Sequence, residues 1–521
     1  MALDIGHKAF VDEVRRARAE GRPTPSVVIV GGGLSGLATA VQLVRSGVRN
    51  FTIIEQSDGV GGTWRDNSYP GAACDVPSHL YSFSFAPKTD WSRRFAEQPE
   101  ILSYAEDLVD RYHLAPHLRL GTTVRSAVYG EASGSWQLDL HDGSDSGVLE
   151  ADTVVFACGQ LNRPHIPDVH GLGSFAGPSW HSARWDHTVD LAGKQVAVIG
   201  TGASAIQFVP PVASAATTTT IFQRSPNYVG PKKDRSYSPA FRRALMRVAV
   251  LRSAYRWWIY WTLEIRWLWF RRDSLAGRQL QSLFRKGIRK EVVNDRLPDH
   301  VVVPDYPLGC KRILISNDWY PALLRPDLSV VDSPVTRIEP DAVVTADGTR
   351  HPADVLIYGT GFVTTAFLSH IPVTGVGGLR LSDAWIEGAH AYLGSAVAGF
   401  PNCYVLYGPN TNLGHNSILF MVERQLNLVL QALALQTRAT TGTGAATVAV
   451  RTAAYESDDR RTQRRMDRTA WSANCTSWYK DTAGRITNNW PTWTVRFWWS
   501  TLRIRSGDFE VVVPEGDGHP I

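Results

Sequence analysis

Two glycine clusters in this chain are built to handle phosphate, and each closes an apolar run. Gly31, Gly33 and Gly36 follow SVVIV (26–30), and Gly200, Gly202 and Ala205 follow QVAVI (195–199). In such a GxGxxG or GxGxxA turn the first glycine turns the chain tightly. The second lets a pyrophosphate reach the backbone, and the third lets helix pack on strand. The helix that begins there offers unpaired N–H groups and a partial positive charge. Each cluster is followed, 24 residues on, by a side chain suited to a ribose: Glu55 after Gly31 and Arg224 after Gly200. A carboxylate accepts hydrogen bonds from ribose hydroxyls, as in FAD, whereas a guanidinium pairs with a 2′-phosphate, as in NADPH. The bland alternative for Arg224 is a solvated cation at a strand end.

Other small-residue stretches fit close approach of backbone to a flavin: Gly62, Thr63 and Trp64 in GGTW, and Gly361 in YGTGF (358–362). The five cysteines (74, 158, 310, 403, 475) contain no CxxC pair. Neither a redox dithiol nor a metal site is expected, and the thiols read as free in a reducing cytoplasm. Electrons passed from NADPH to flavin without a dithiol are expected to go to oxygen.

These residues need elements to hold them. Strand 26–30, helix 37–47 and strand 51–56 form one βαβ unit, and strand 195–200, helix 206–215 and strand 219–225 form a second. The expected fold is α/β, with two Rossmann-like dinucleotide domains and a helical insertion. The FAD domain takes 1–157 and 361–521, and the NADP domain takes 158–230 and 306–360. The insertion covers 231–305.

At 521 residues, 44% apolar and 20% charged, the chain has the totals of a soluble multidomain protein. A net charge of +5 is mild and fits anionic cofactors; no nucleic-acid partner is expected. The N-terminus reads as a surface helix rather than a signal peptide, and no spanning helix is expected. The sequence leaves the oligomeric state open.

The segment FAGPSWHSARWD (175–186) precedes the second glycine turn. With it, the chain resembles the class B flavoprotein monooxygenases, type I Baeyer–Villiger family, whose fingerprint is FxGxxxHxxxW followed by Pro or Asp. Phe175, Gly177, His181, Trp185 and Asp186 match each fixed position. The resemblance runs on through YPGAACDVPS (69–78), GCKR (309–312), GTGF (359–362) and GPNTNLGHNS (408–417). It implies a peroxyflavin that attacks a small apolar ketone and, with O2 and NADPH, yields an ester or lactone. It also implies that Arg312 steadies the developing negative charge, that Asp75 positions Arg312, and that Lys311 joins Arg224 on the 2′-phosphate. A preorganised cation facing a developing anion is the chemistry such a step requires. The rival with the same cofactors oxygenates nitrogen or sulfur. Gly359 departs from the Ala or Ser more common in the family. His181 reads as part of a hinge that couples the NADP domain to the flavin site.

The stretch LRSAYRWWIYWTLEIRWLWFRR (251–272) is apolar over most of its circumference. Leu251, Tyr255, Trp258, Thr262, Ile265 and Trp269 share one helical face, with Arg252, Arg256 and Arg266 on a narrow basic stripe. Burial with arginines reaching the rim is expected, ahead of a substrate mouth or a membrane contact.

Overall fold

The computed structural model describes residues 4–513 apart from 144, 273, 442, 443, 476 and 482. Two parallel sheets organise it. The first runs, in spatial order, Cys403–Val405, Thr153–Phe156, Val27–Val30, Phe51–Ile54, Leu118–Arg119. The second runs Leu328–Val331, Thr218–Phe222, Gln195–Ile199, Val355–Tyr358, Ser179–His181. The interior strands Val27–Val30 and Val355–Tyr358 are buried on both faces. That explains their unbroken β-branched and apolar runs, because helices and loops cover a parallel sheet on both sides.

Each phosphate turn lies where the sequence places it. Gly31 adopts φ 112° and Gly200 φ 106°, values that L side chains rarely take. A Cβ on Gly36 would lie 1.9 Å from the Gly31 carbonyl oxygen, so only glycine lets helix Leu34–Arg45 start this close to the strand. Ala205 opens helix Ala205–Ala215 from a fully buried position. Gly359 also has a physical reason: a Cβ there would press at 3.3 Å on both Ala205 and Phe208.

The N-terminal helix Ile5–Ala19 is less superficial than expected. Phe10, Val14 and Ala17 are buried, and Gly6 N–H donates to Asn427 Oδ1 at 2.8 Å on helix Ile418–Ala439. Among the described residues that long helix alone has the length and composition to cross a membrane, yet it lies almost entirely inside the protein.

The chain leaves the first sheet after Phe156 and returns to it after Tyr358. The two crossings are paired: His165 N–H donates to Gly361 O at 2.8 Å and Val363 N–H to Arg163 O at 2.9 Å.

Two expectations need correction. Cys310 and Cys475, 165 residues apart in sequence, form a disulfide with Cα atoms 6.5 Å apart. Only Cys74, Cys158 and Cys403 are free, so the cytoplasmic expectation loses the support of five free thiols. No local spacing announces the pair, because the tertiary fold alone brings the two residues together. The insertion helix Ala249–Glu264 is also not buried all round: Leu251, Trp258, Thr262 and Ile265, on the face named above, are exposed. Arg256 is not at a rim. It points inward, and its Nη1 donates to the carbonyls of His79 and Ser82 at 2.8 Å each.

Candidate active site

A cavity of about 1070 Å³ connects the two glycine turns. On the first side it is lined by Gly31, Gly33, Glu55, Gly62, Thr63 and Trp64. Helix Leu34–Arg45 starts at Gly33 without a side-chain cap, which leaves its first N–H groups for an anion. Glu55 directly follows the second strand of the unit; its carboxylate accepts from Gly32 N–H at 2.6 Å and Ser57 N–H at 2.8 Å. Those bonds fix the carboxylate beside the turn with acceptor capacity to spare. The donor set and room fit FAD.

The second side is lined by Gly200, Gly202, Arg224 and Lys311. Lys311 Nζ donates to Ser225 Oγ at 2.5 Å and lies 4.4 Å from the Tyr306 ring centroid. Burial and the neighbouring Arg224 cation lower the Lys311 pKa. Two cations set so close repel one another, and a dianionic 2′-phosphate between them relieves that repulsion. This side fits NADP. Helix Ala205–Ala215 likewise carries no side-chain cap at its start.

Between the two sides lie Asp75 and Arg312, from segments 237 residues apart. Arg312 Nε donates to Asp75 Oδ2 at 3.0 Å and Nη2 donates to the same oxygen. The Asp75 carboxylate raises the Arg312 pKa, against the opposing effect of burial. Arg312 is thus a permanent cation with a fixed fork. Tyr407 and Tyr479 stand close enough to act on its charge; burial pushes the Tyr479 hydroxyl up to about 12, against the lowering effect of the Arg312 cation. Tyr407 also holds φ 53°, an unfavourable value for an aromatic residue, and its hydroxyl donates to Asn412 Oδ1 at 2.8 Å.

Several expected residues do not face the cavity. Gly36 and Ala205 sit behind their turns as packing positions. The fingerprint residues lie outside it as well and form a joint between the halves. Ser179–His181 is the edge strand of the second sheet, with His181 paired to Tyr358. Trp185 packs against Tyr69 from the first half and Phe208 from the second. Arg184 pairs with Asp66 at 3.1 Å and His187 with Ser68 at 2.8 Å. Phe175 packs in a small cluster of the second half, and a Cβ on Gly177 would lie 2.2 Å from the Asp354 carbonyl oxygen. Asp186 is half-buried and closes a turn by accepting from Thr188 N–H at 2.9 Å.

His181 meets Phe362, on the returning crossing, edge to face at 5.5 Å. Burial pushes its imidazole down to about 4, and Arg184 and His165 act in the same direction against the Gly361 backbone. It is therefore neutral near pH 7, with Nδ1 accepting from Ala183 N–H at 3.1 Å.

Residues that sequence reasoning missed complete the site. Gln207 accepts from Tyr69 Oη at 2.9 Å and donates to Ala73 O at 2.9 Å, joining the NADP-side helix to the loop that carries Asp75. Trp478 and Ser477 line the cavity, and so do Leu413 and Asn412. No motif marks Gln207 or Trp478. The disulfide cysteines do not line the cavity, and neither does any residue between 239 and 272.

Known proteins agree with this geometry. Residues 28–254 match the pyridine nucleotide-disulphide oxidoreductase family. A Baeyer–Villiger monooxygenase of Streptomyces coelicolor is 41% identical over 492 residues, which cover 94% of this chain and 93% of that protein. An oxidized steroid monooxygenase bound to NADP superposes with a TM-score of 0.82 at 28% identity, over 94% of this chain and all of that one. The OTEMO complex with FAD and NADP gives 0.81 at 26% identity, with the same coverage.

Proposed function

The chain belongs to the FAD- and NADP-dependent Baeyer–Villiger monooxygenases, and from that premise we propose how its own residues divide the work on a small apolar ketone. Bound FAD, reduced by NADPH, supplies activated dioxygen as the source of the inserted oxygen atom. The observation that carries the reading is Arg312, held by Asp75 in a cavity that both glycine turns line.

Arg312 is the electrostatic partner of the reacting oxygen atoms. A cation aimed in advance at the place where negative charge develops costs no reorganisation when the charge appears. Its elevated pKa keeps it charged throughout, so it stabilises charge and does not act as an acid. Asp75 is a positioning residue: it fixes the guanidinium and prevents an unbalanced cation in a partly buried site. Arg224 and Lys311 hold the 2′-phosphate, and Glu55 holds the ribose of FAD. Neutral His181 works by shape at the joint between the halves and moves no proton. Trp478, Leu413 and Tyr407 line the same cavity and exclude water from it.

The test is product analysis with holoenzyme, NADPH and isotope-labelled dioxygen across a panel of apolar ketones and one sulfide. Esters or lactones carrying one labelled atom are expected. Sulfoxide as the sole product would sink the reading.

A further inference from the structure

The insertion helix Ala249–Glu264 and the turn Ile265–Phe270 after it present an apolar ridge to solvent. Val250 is 79% exposed, Trp258 52%, Trp261 46% and Ile265 56%. Met246 and Val248, just before the helix, extend the ridge. Single exposed apolar residues are ordinary, but a run of this length on one element marks an interaction surface.

The ridge is not a frayed end, because the opposite face of the helix is firmly held. Tyr260 Oη hydrogen-bonds Thr494 Oγ1 at 2.7 Å, and Ile259 and Leu263 are buried in the main core. Arg256 is anchored on backbone carbonyls, as described above. Glu264 accepts from Thr494 N–H at 2.6 Å and Asn416 Nδ2 at 2.8 Å. The protein therefore displays this face rigidly, at the cost of leaving it in water.

Charge identifies the occupant. Residues 239–272 contain eight arginines and one carboxylate, Glu264, which is fully buried. Arg243, Arg247 and Arg271 are exposed around the apolar ridge. Indole rings favour the headgroup level of a bilayer, and arginines beside them attract anionic lipid. We propose that this face docks on an anionic membrane surface, with Trp258, Trp261 and Ile265 entering the headgroup–acyl boundary. The cavity is lined by none of these residues, so docking leaves the active site assembled. The inference does not depend on the proposed residue roles, because its readout is binding.

FAD-loaded holoenzyme is floated with vesicles of phosphatidylcholine, with and without phosphatidylglycerol. It should rise with the anionic vesicles at low salt and less as salt increases. Trp258→Ser with Trp261→Ser should reduce partition at least about tenfold while flavin absorbance and NADPH oxidation stay unchanged. Arg243→Ala with Arg247→Ala should reduce it on the order of tenfold, on anionic vesicles only. If the tryptophan pair fails to retain FAD, Val250→Ser with Ile265→Ser carries the same expectation. No flotation with anionic vesicles at low salt would overturn the proposal, and so would unchanged flotation of a folded ridge variant. Light scattering that finds a dimer, broken by the ridge variants, would also overturn it and make the face an interface between copies.

Discussion

Arg312 and Asp75 meet through two hydrogen bonds to a single carboxylate oxygen, one from Nε at 3.0 Å and one from Nη2, although 237 residues separate them. The arrangement leaves the other edge of the guanidinium directed away from its partner and available to the cavity. It also ties the GCKR loop to the loop after Tyr69, so the charge and the wall that supports it move together.

Arg312→Ala should cut ester formation by about a hundredfold to a thousandfold, the usual cost of losing one preorganised charge-stabilising group. Anaerobic bleaching of the flavin by NADPH should continue at near the normal rate. Arg312→Lys should recover little, because an ammonium cannot reproduce the two-point contact with Asp75. Stopped-flow reduction and product yield, measured on the same samples, separate the two steps. Loss of both together would mean that Arg312 serves binding rather than oxygen chemistry.

Arg224→Ala should raise the KM for NADPH about tenfold to a hundredfold, the worth of a charged hydrogen bond, and leave the KM for NADH almost unchanged. Lys311→Ala should act in the same direction. The comparison of the two nucleotides is decisive, since a general folding defect would affect both equally.

The two dinucleotide folds were legible because their signals are local: a buried strand, a glycine turn and a ribose-binding side chain within about thirty residues. Glu55 and Arg224 needed no tertiary knowledge. Asp75, Arg312 and Lys311 were reachable only through resemblance, since nothing in YPGAACD or GCKR alone distinguishes a catalytic ion pair from a structural one. Gln207, Tyr407 and Trp478 escaped because their roles come from contacts across the two halves. The insertion helix misled for a different reason: a helix that is apolar nearly all round reads as buried, yet within Ala249–Glu264 only Ile259, Tyr260, Leu263 and Glu264 are buried.

His181→Ala should lower turnover and let NADPH be consumed without product, while FAD stays bound. The ring joins the edge strand of one half to Phe362 on the returning crossing, so its loss loosens the register of the two. The pH–rate profile between about 5 and 8 should show no inflection from His181, because the group titrates at about 4. Normal coupling in the variant would remove the joint from the account.

Acid should unfold this protein through His79 and His181. Burial first, then nearby arginines, lowers His79 to about 4, as burial lowers His181. The unfolded chain binds those protons near pH 6.5 and the folded one resists them, so stability is complete above about 6.5 and falls as pH drops toward about 4. Each contributes on the order of 3 kcal/mol across that window. Tm measured against pH should decline there, and more gently in a His79→Asn, His181→Asn variant. An equal slope in both proteins would assign the acid sensitivity elsewhere.

The Cys310–Cys475 disulfide should respond to reductant in two separable ways. It closes a loop of 165 residues, and the chain-entropy account of such a loop gives about 5 kcal/mol of stabilisation from the unfolded state. Reductant, or Cys310→Ser, should therefore lower the unfolding temperature. Position gives the second effect. Cys310 stands two residues before Arg312, and Cys475 three before Trp478, which lines the cavity. Unlinking them frees the wall of the site from the loop that carries its charge. The released enzyme should then divert more NADPH to hydrogen peroxide at a given ketone concentration, while flavin reduction stays fast. Non-reducing peptide mapping settles the premise first: separate Cys310 and Cys475 peptides in the untreated protein would dispose of both effects at once.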